Sequence, residues 1–175
     1  MDIKLAFVDD VADKPALEAL LVDYFEIILK MFAEAGGPQL SATDMAAESV
    51  EHLSDYLPPD GRTLLAHGPD GQLLGCGVIR KIRPDAVELK RMFVRPEAQG
   101  TGLGRKLFEM RMDEVPRMGC NEVYVDTVKG NTAMLNMYEK RGFTYIPRYP
   151  ENANPPEYSS NLVYLKYRFP GATAS

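Results

Sequence analysis

The chain has 175 residues, 45% of them hydrophobic and 26% charged, with a formal net charge of −5. That length suits one domain with a full hydrophobic core. The acidic total speaks against nucleic-acid binding, and no apolar run is long enough to cross a membrane. The start MDIKLAFVDD lacks the basic-then-apolar build of a secretory leader, and Cys76 and Cys120 stand far apart without metal-ligand spacing. A reduced, cytoplasmic chain that holds no metal is expected.

In chain order, IKLAFV (3–8) reads as a strand. Asp13 and Pro15 mark a helix start. Leu17, Leu20, Leu21, Tyr24, Ile28, Met31 and Phe32 then recur at helical spacing until GGP at 36–38 stops the run. Thr43 is placed to cap a second helix, with Ala46, Val50, Leu53 and Leu57 on one face and PPDG at 58–61 at its end. The period then shortens. RTLLAHG (62–68) and QLLGCGVIRKI (72–82) read as strands joined at PDG, and AVELKRMFV (86–94) as a third.

A glycine-rich stretch leads into a helix over 102–118, whose stripe is Leu103, Leu107, Phe108, Met110, Val115 and Met118. NEVYVDTV (121–128) alternates as a strand, and NTAMLNMYEKR (131–141) is a helix closed by Gly142. FTYIPRY and SSNLVYLKYRF read as two last strands around the loop PENANPPEY. The order β-α-α-β-β-β-α-β-α-β-β describes an α/β (α+β) mixed sheet with helices on its faces. One domain over 1–169 and a flexible tail at 170–175 are expected.

Charge is unevenly spread. Residues 1–79 hold 4 Lys+Arg against 14 Asp+Glu, a net of −10, whereas residues 80–117 hold 10 against 6, a net of +4. The positive block surrounds RPEAQGTGLGRKL, where Gly100, Gly102 and Gly104 fall within five residues. Glycines at a helix start let an anion approach unpaired N–H groups and the positive end of the helix dipole. A Walker A loop is excluded, because Arg105, Lys106 and Leu107 follow the last glycine in place of Lys-Ser or Lys-Thr. A dinucleotide fingerprint is disfavoured, because the pattern is G-x-G-x-G and RPEAQ separates it from the strand. A tight turn that binds nothing is the remaining reading of the glycines alone.

Gln99-x-x-Gly102-x-Gly104 matches the Q/R-x-x-G-x-G/A signature of the GNAT superfamily of N-acetyltransferases, and ELKRMFVRPEAQGTGLGRKL resembles that family's strand, loop and helix in unbroken order. NTAMLNMYEKRGF is similar to its later N-x-x-A-x-x-L-Y-x-x-x-G-F segment. Asn131, Tyr138, Gly142 and Phe143 match, and Met134 and Met137 replace the usual Ala and Leu. The matching core covers residues 86–146. The resemblance implies a mixed, mostly antiparallel sheet of about seven strands, splayed between the fourth and fifth, with about four flanking helices.

It also implies acetyl-coenzyme A as co-substrate, with its pyrophosphate on the N–H groups of Gln99, Gly100, Thr101, Gly102, Leu103 and Gly104. Arg105 and Asn131 would sit near the nucleotide and the arm. The pantetheine arm would pair as an extra strand with the backbone of Met92, Phe93 and Val94. Tyr138 falls at the family's general-acid position and would protonate the departing sulfur. The N–H of Phe93 or Val94 would polarise the carbonyl. Glu88 is the first choice of base or substrate contact and Asp126 the second, and many family members use no strong base. Alternation puts Glu88, Lys90 and Met92 on one face and Leu89, Arg91 and Phe93 on the other. Cys76 and Cys120 lack a histidine partner, so an acyl-cysteine route is not expected, and His52 and His67 read as surface residues.

The acceptor site in this family is built by the first two helices and the loop between the last two strands, here residues 13–57 and 147–160. The acidic helices favour a cationic amine, whereas Arg91 and Arg148 are suited to a carboxylate, and Tyr145, Tyr149 and Tyr158 to an aromatic pocket. The expected acceptor is a small-molecule amine. A protein lysine or N-terminus, or a module that binds acyl-coenzyme A without catalysis, are the alternatives. The resemblance also allows a homodimer, through a surface the sequence does not identify.

Overall fold

The computed structural model describes residues 2–171; the expected tail therefore lies mostly outside the described residues. Seven strands form one sheet in the order β1-β2-β3-β4-β5-β7-β6. They are β1 (Lys4–Val8), β2 (Gly61–His67), β3 (Leu73–Arg83), β4 (Ala86–Val94), β5 (Glu122–Val128), β6 (Thr144–Ile146) and β7 (Leu162–Arg168). The helices are α1 (Lys14–Glu34), α2 (Ala42–Glu51), α3 (Leu103–Arg117) and α4 (Thr132–Arg141). Every neighbouring pair is antiparallel except β4 and β5.

Local chemistry sets the boundaries. Asp13 caps α1 by accepting from the Ala16 N–H at 2.9 Å, with Pro15 in the first turn. Ser41, and not Thr43, caps α2 through the Asp44 N–H at 3.2 Å, so the helix begins two residues earlier than a Thr43 cap places it. It also ends sooner. Leu53–Tyr56 tighten into a 3-10 turn that buries Leu53 and Tyr56. Gly142, at φ 97°, closes α4 in the left-handed conformation that side chains resist. The stretch expected as a strand at 143–149 is one only over 144–146, because Pro147 and Pro150 remove ladder donors. Residues 156–161 form a further 3-10 turn before β7.

The sheet separates two helical layers. Leu64, Ala66 and Leu74 pack against Leu103 and Leu107 of α3. Leu65, Leu73, Cys76 and Phe93, on the opposite face, pack against Leu17, Leu20, Leu21 and Phe25 of α1. Alternation along β2 sets the register, with a one-residue slip in β3 opposite Ala66 and His67 that puts Leu73 and Cys76 on one face and Leu74 on the other. Truncating a wholly buried leucine such as Leu20 or Leu107 to alanine is expected to destabilise by about 2–5 kcal/mol.

Two irregularities at the centre make the site. β4 and β5 pair only at Ala86–Glu122, Val87–Val123 and Glu88–Tyr124, and then diverge. Between Cys76–Phe93 and Val78–Lys90 the β3–β4 register slips by one residue, a bulge on β4 at Arg91 and Met92. Arg91 has φ 51°, the sole positive φ at a non-glycine among the described residues. The bulge overturns the simple alternation expected for this strand. Leu89 and Met92 join the core under α3, whereas Arg91 and Phe93 face α1.

Candidate active site

The glycine loop leaves a run of donors unused. Gly102, at φ 83°, caps α3 in the left-handed region, and Gly100 has φ 75°. The backbone N–H groups from Gly100 through Arg105 have no protein acceptor among the described residues. A Cβ at Gly100 or Gly102 would meet nothing within 4 Å, so the loop surface is open to a ligand. Gln99 is a correction to the expected donor set. Its N–H turns inward to the Pro96 carbonyl at 3.2 Å and its side-chain amide to the Val94 carbonyl at 3.1 Å. Gln99 thus braces the loop, and the cradle begins one residue later.

The gap between β4 and β5 adjoins this cradle. The Arg95 N–H donates to Leu74 O at 2.8 Å, so the Cys76–Phe93 pair is the next hydrogen-bonded pair of the β3–β4 ladder. The backbone of Phe93 is therefore turned to β3, and that of Met92 and Val94 to the gap. Of the three backbone positions expected to face the arm, Met92 and Val94 are turned to the gap and Phe93 is not.

A cavity of about 520 Å³ opens beside the gap, between α1 and α2 on one side and β4, β5 and α4 on the other. Tyr138 and Asn131 from α4 line it, with Arg91 and Met92 from β4 and Asp126 from β5. Loop residues Ala153–Pro155 and Tyr158 close one end. The sequence profile of the acetyltransferase (GNAT) family matches residues 22–143, which takes in the cradle, the gap and Tyr138.

The chain belongs to the GNAT acetyltransferase family.

An uncharacterized N-acetyltransferase of Schizosaccharomyces pombe is 27% identical over 146 residues, covering 83% of this chain and 86% of that protein. A GNAT-family acetyltransferase structure from Staphylococcus aureus Mu50 superposes with a TM-score of 0.73 at 16% identity, covering 94% of this chain and 99% of that one. The Salmonella typhimurium acetyltransferase yncA, solved with acetyl-CoA, superposes with a TM-score of 0.64 at 20% identity, covering 98% and 96%. The co-substrate of the family is acetyl-coenzyme A, and the free N–H groups of Gly100–Arg105 together with the unpaired edge of β4 fit its phosphates and its amide-bearing arm.

Within this acetyltransferase, Tyr138 is 5% exposed and packs against Phe108 and Phe143, with ring centroids 5.9 and 5.3 Å away. Its hydroxyl has no hydrogen-bond partner among the described residues, although the ring lines the cavity. Burial raises its proton affinity, and the nearby Arg111 charge offsets part of that rise. Asn131 donates to Thr127 Oγ1 at 2.9 Å, which ties the start of α4 to β5 at the gap.

Glu88 occupies a different place from the one expected of a base. It is fully buried, accepts from Arg80 Nη2 at 3.0 Å and from the Tyr149 hydroxyl, and pairs with Lys90 Nζ at 3.4 Å. It does not line the cavity. Two cations and a phenol occupy its oxygens, so it balances charge inside the sheet. Asp126 does line the cavity. Its Oδ2 accepts from Asn152 at 2.6 Å and Asn154 at 3.1 Å and lies 3.8 Å from Lys90 Nζ, while Oδ1 accepts no protein donor among the described residues.

Arg111 was not singled out by sequence. It is 1% exposed and has no acidic partner among the described residues, and it donates to the carbonyls of Leu107, Val78 and Lys90 at 3.1, 3.2 and 3.3 Å. It thereby fastens α3 to both strands at the bulge. Burial holds its pKa down to about 10. Its spacing, four residues after Leu107 and three after Phe108, put it on the buried face and was the available signal.

The remaining candidates scatter. Arg148 stitches its own loop through the carbonyls of Asn152 and Asn154. Tyr145 is exposed on β6, Tyr149 packs on Tyr124 and Tyr164, and only Tyr158 reaches the cavity. His52 ends α2 at the cavity rim. Cys76 is fully buried, donates to Arg91 O at 3.2 Å, and burial pushes its thiol up to about 12, which removes it as a nucleophile.

Proposed function

We propose that this acetyltransferase moves the acetyl group of acetyl-coenzyme A directly to the primary amine of a small molecule. The observation that carries the reading is the cavity of about 520 Å³, within the size range of small-ligand sites and roofed by α1, α2 and the 153–158 loop. A polypeptide acceptor needs an open groove, and the roof leaves a pocket.

Each residue has a task in this reading. The N–H groups of Gly100–Arg105 hold the pyrophosphate, and Leu103, buried below them, anchors the helix start. The Met92 backbone pairs with the arm, and the Val94 N–H, whose carbonyl is held by Gln99, polarises the acetyl oxygen as charge develops there. The co-substrate supplies an acetyl thioester. The amine nitrogen forms the new bond to the acetyl carbon while the carbon–sulfur bond breaks with its electron pair on sulfur. Tyr138 gives the sulfur a proton and is reprotonated from solvent. The amine's proton passes through cavity water to Asp126 Oδ1, which takes the role expected of Glu88.

The test is thermal unfolding with acetyl-coenzyme A, with NAD as control, followed by an amine panel scored by thiol release. A saturating ligand at about 100 times its dissociation constant adds roughly 2.7 kcal/mol. A shift with acetyl-coenzyme A alone and turnover with small amines are the expected results. No shift, or turnover only with peptides and proteins, overturns the reading.

A further inference from the structure

The bulge on β4 does more than open the backbone. It turns Arg91 onto the same side of the sheet as α1 and α2, in a backbone conformation (φ 51°) that an L residue avoids unless its surroundings impose it. The side chain is then fixed along one face and one edge. Its guanidinium carbon lies 4.9 Å from the centroid of the Phe25 ring, and Nε donates to Ser49 Oγ at 3.2 Å. Ser49 is buried and itself anchored on the Met45 carbonyl at 2.8 Å. The two Nη nitrogens donate to no protein group, and no carboxylate pairs with them among the described residues.

The charges around it make the vacancy of partners informative. The acids that make residues 1–79 so negative stand at the outside. Glu48 and Asp55 are exposed at the cavity rim, and neither pairs with Arg91. Inside, Lys90 already faces Glu88 and Asp126, and Arg111 is spent on carbonyls. The cavity therefore presents one guanidinium with two parallel donors free, stacked and pre-aimed, on the β4 wall. A carboxylate with a free oxygen, Asp126, stands on the β5 wall. Ile28, Leu29, Phe32 and Tyr158 add an apolar stretch of wall on the α1 side.

We infer that the acceptor is an α-amino acid, or a close analogue bearing a carboxylate next to its amine, with an apolar or aromatic side chain. Arg91 is its specificity-determining residue and takes the carboxylate in a bidentate grip. The grip stands one residue from Met92 and three from Val94, where the backbone faces the gap, so it delivers the amine beside the acetyl group. The amine lies toward Asp126 and the side chain toward α1. A polyamine would bring like charge to Arg91 and leave the stacked fork unpaired. This inference rests on the acetyltransferase reading and narrows it.

The experiment compares matched acceptors. Phenylalanine, leucine and methionine are each assayed against their carboxamides and their decarboxylated amines, with acetyl-coenzyme A as donor and thiol release as readout. The acids are expected to exceed their partners at least 30-fold in kcat/KM. Arg91→Gln is expected to collapse that ratio toward one by raising KM for the acids, with the acetyl-coenzyme A thermal shift intact. Arg91→Gly, which relieves the positive φ, checks that loss of the ratio comes from the guanidinium and not from misfolding. Carboxamides or decarboxylated amines equal to or better than the acids, a panel in which no acid is acetylated, or an unaltered ratio in both variants overturns the inference. The absence of any shift with acetyl-coenzyme A instead brings down the acetyltransferase reading beneath it.

Discussion

A Cβ added at Gly77 would lie 2.7 Å from Arg111 Nε and 2.9 Å from its guanidinium carbon, so the bare backbone of one residue is the socket for the buried side chain of the other. Gly77→Ala therefore pushes the guanidinium off the Val78 and Lys90 carbonyls to which it donates. Overpacking and lost buried hydrogen bonds together predict a destabilisation of about 2–3 kcal/mol. For a chain of this size that is a fall in Tm on the order of 5–10 °C. An unchanged Tm in calorimetry would show that Arg111 does not need that space.

The glycines of the cradle separate into two kinds. Gly102 has a positive φ, so Gly102→Ala is expected to destabilise the chain by about 1–2 kcal/mol whatever it binds. Gly104 has no positive φ, and its added Cβ would meet only Val94 Cγ2, at 3.8 Å. Gly104→Ala should fold with a near-native Tm and yet weaken acetyl-coenzyme A binding about tenfold or more, because a methyl group stands where the phosphate approaches. Titration calorimetry on both variants distinguishes the two effects.

Tyr138→Phe keeps the ring that packs on Phe108 and Phe143 and removes only the hydroxyl. Loss of a general acid predicts a fall in kcat of about 10²-fold. The thermal shift with acetyl-coenzyme A should persist, because the hydroxyl holds no structural hydrogen bond. An unaltered kcat removes Tyr138 from the proton path.

Stability should decline in alkali. Burial raises the phenol groups of Tyr24, Tyr138 and Tyr149 above their ordinary value of 10.0. In the unfolded chain these phenols ionise near pH 10, while in the folded chain they stay protonated. Above that pH the unfolded state binds fewer protons, and unfolding becomes easier as pH rises. Arg111, held down to about 10, acts with the opposite sign, but it stands against the three phenols and the buried Cys76 thiol together. Urea midpoints measured from about pH 9 to 11 are expected to fall; a flat or rising profile contradicts the burial of the phenols.

Much of this was legible before any coordinates. Helix caps, turn dipeptides and the shift from helical to alternating periodicity are local signals, and they gave the order and type of every main element, with the ends of α2 and β6 misplaced by several residues. The cradle was legible because glycine in a left-handed turn is a local requirement. What was not legible depended on partners distant in sequence. The bulge at Arg91 carries no glycine or proline to announce it. It lies where β4 meets the Cys76–Val78 stretch of β3 above a buried Arg111, and it brings Leu89 and Met92, which simple alternation separates, onto one face. Glu88 looked like a strand carboxylate facing a site. Its enclosure depends on Arg80 and on Tyr149, which lies 61 positions away. Ser41 and Thr43 both have capping side chains, and Ser41, the stronger cap, is the one that takes the Asp44 N–H.

The three residue pairs that join β4 to β5 make the sheet two smaller sheets riveted at one end. An occupant whose amides bridge the open end is then a missing structural member as well as a reactant. Folding stability is typically about 5–15 kcal/mol, and a bound ligand at saturation adds a sizeable fraction of that. Withdrawal of the acyl donor is therefore expected to loosen the seam between β4 and β5 first, and proteolysis and hydrogen exchange at that seam would report the loss.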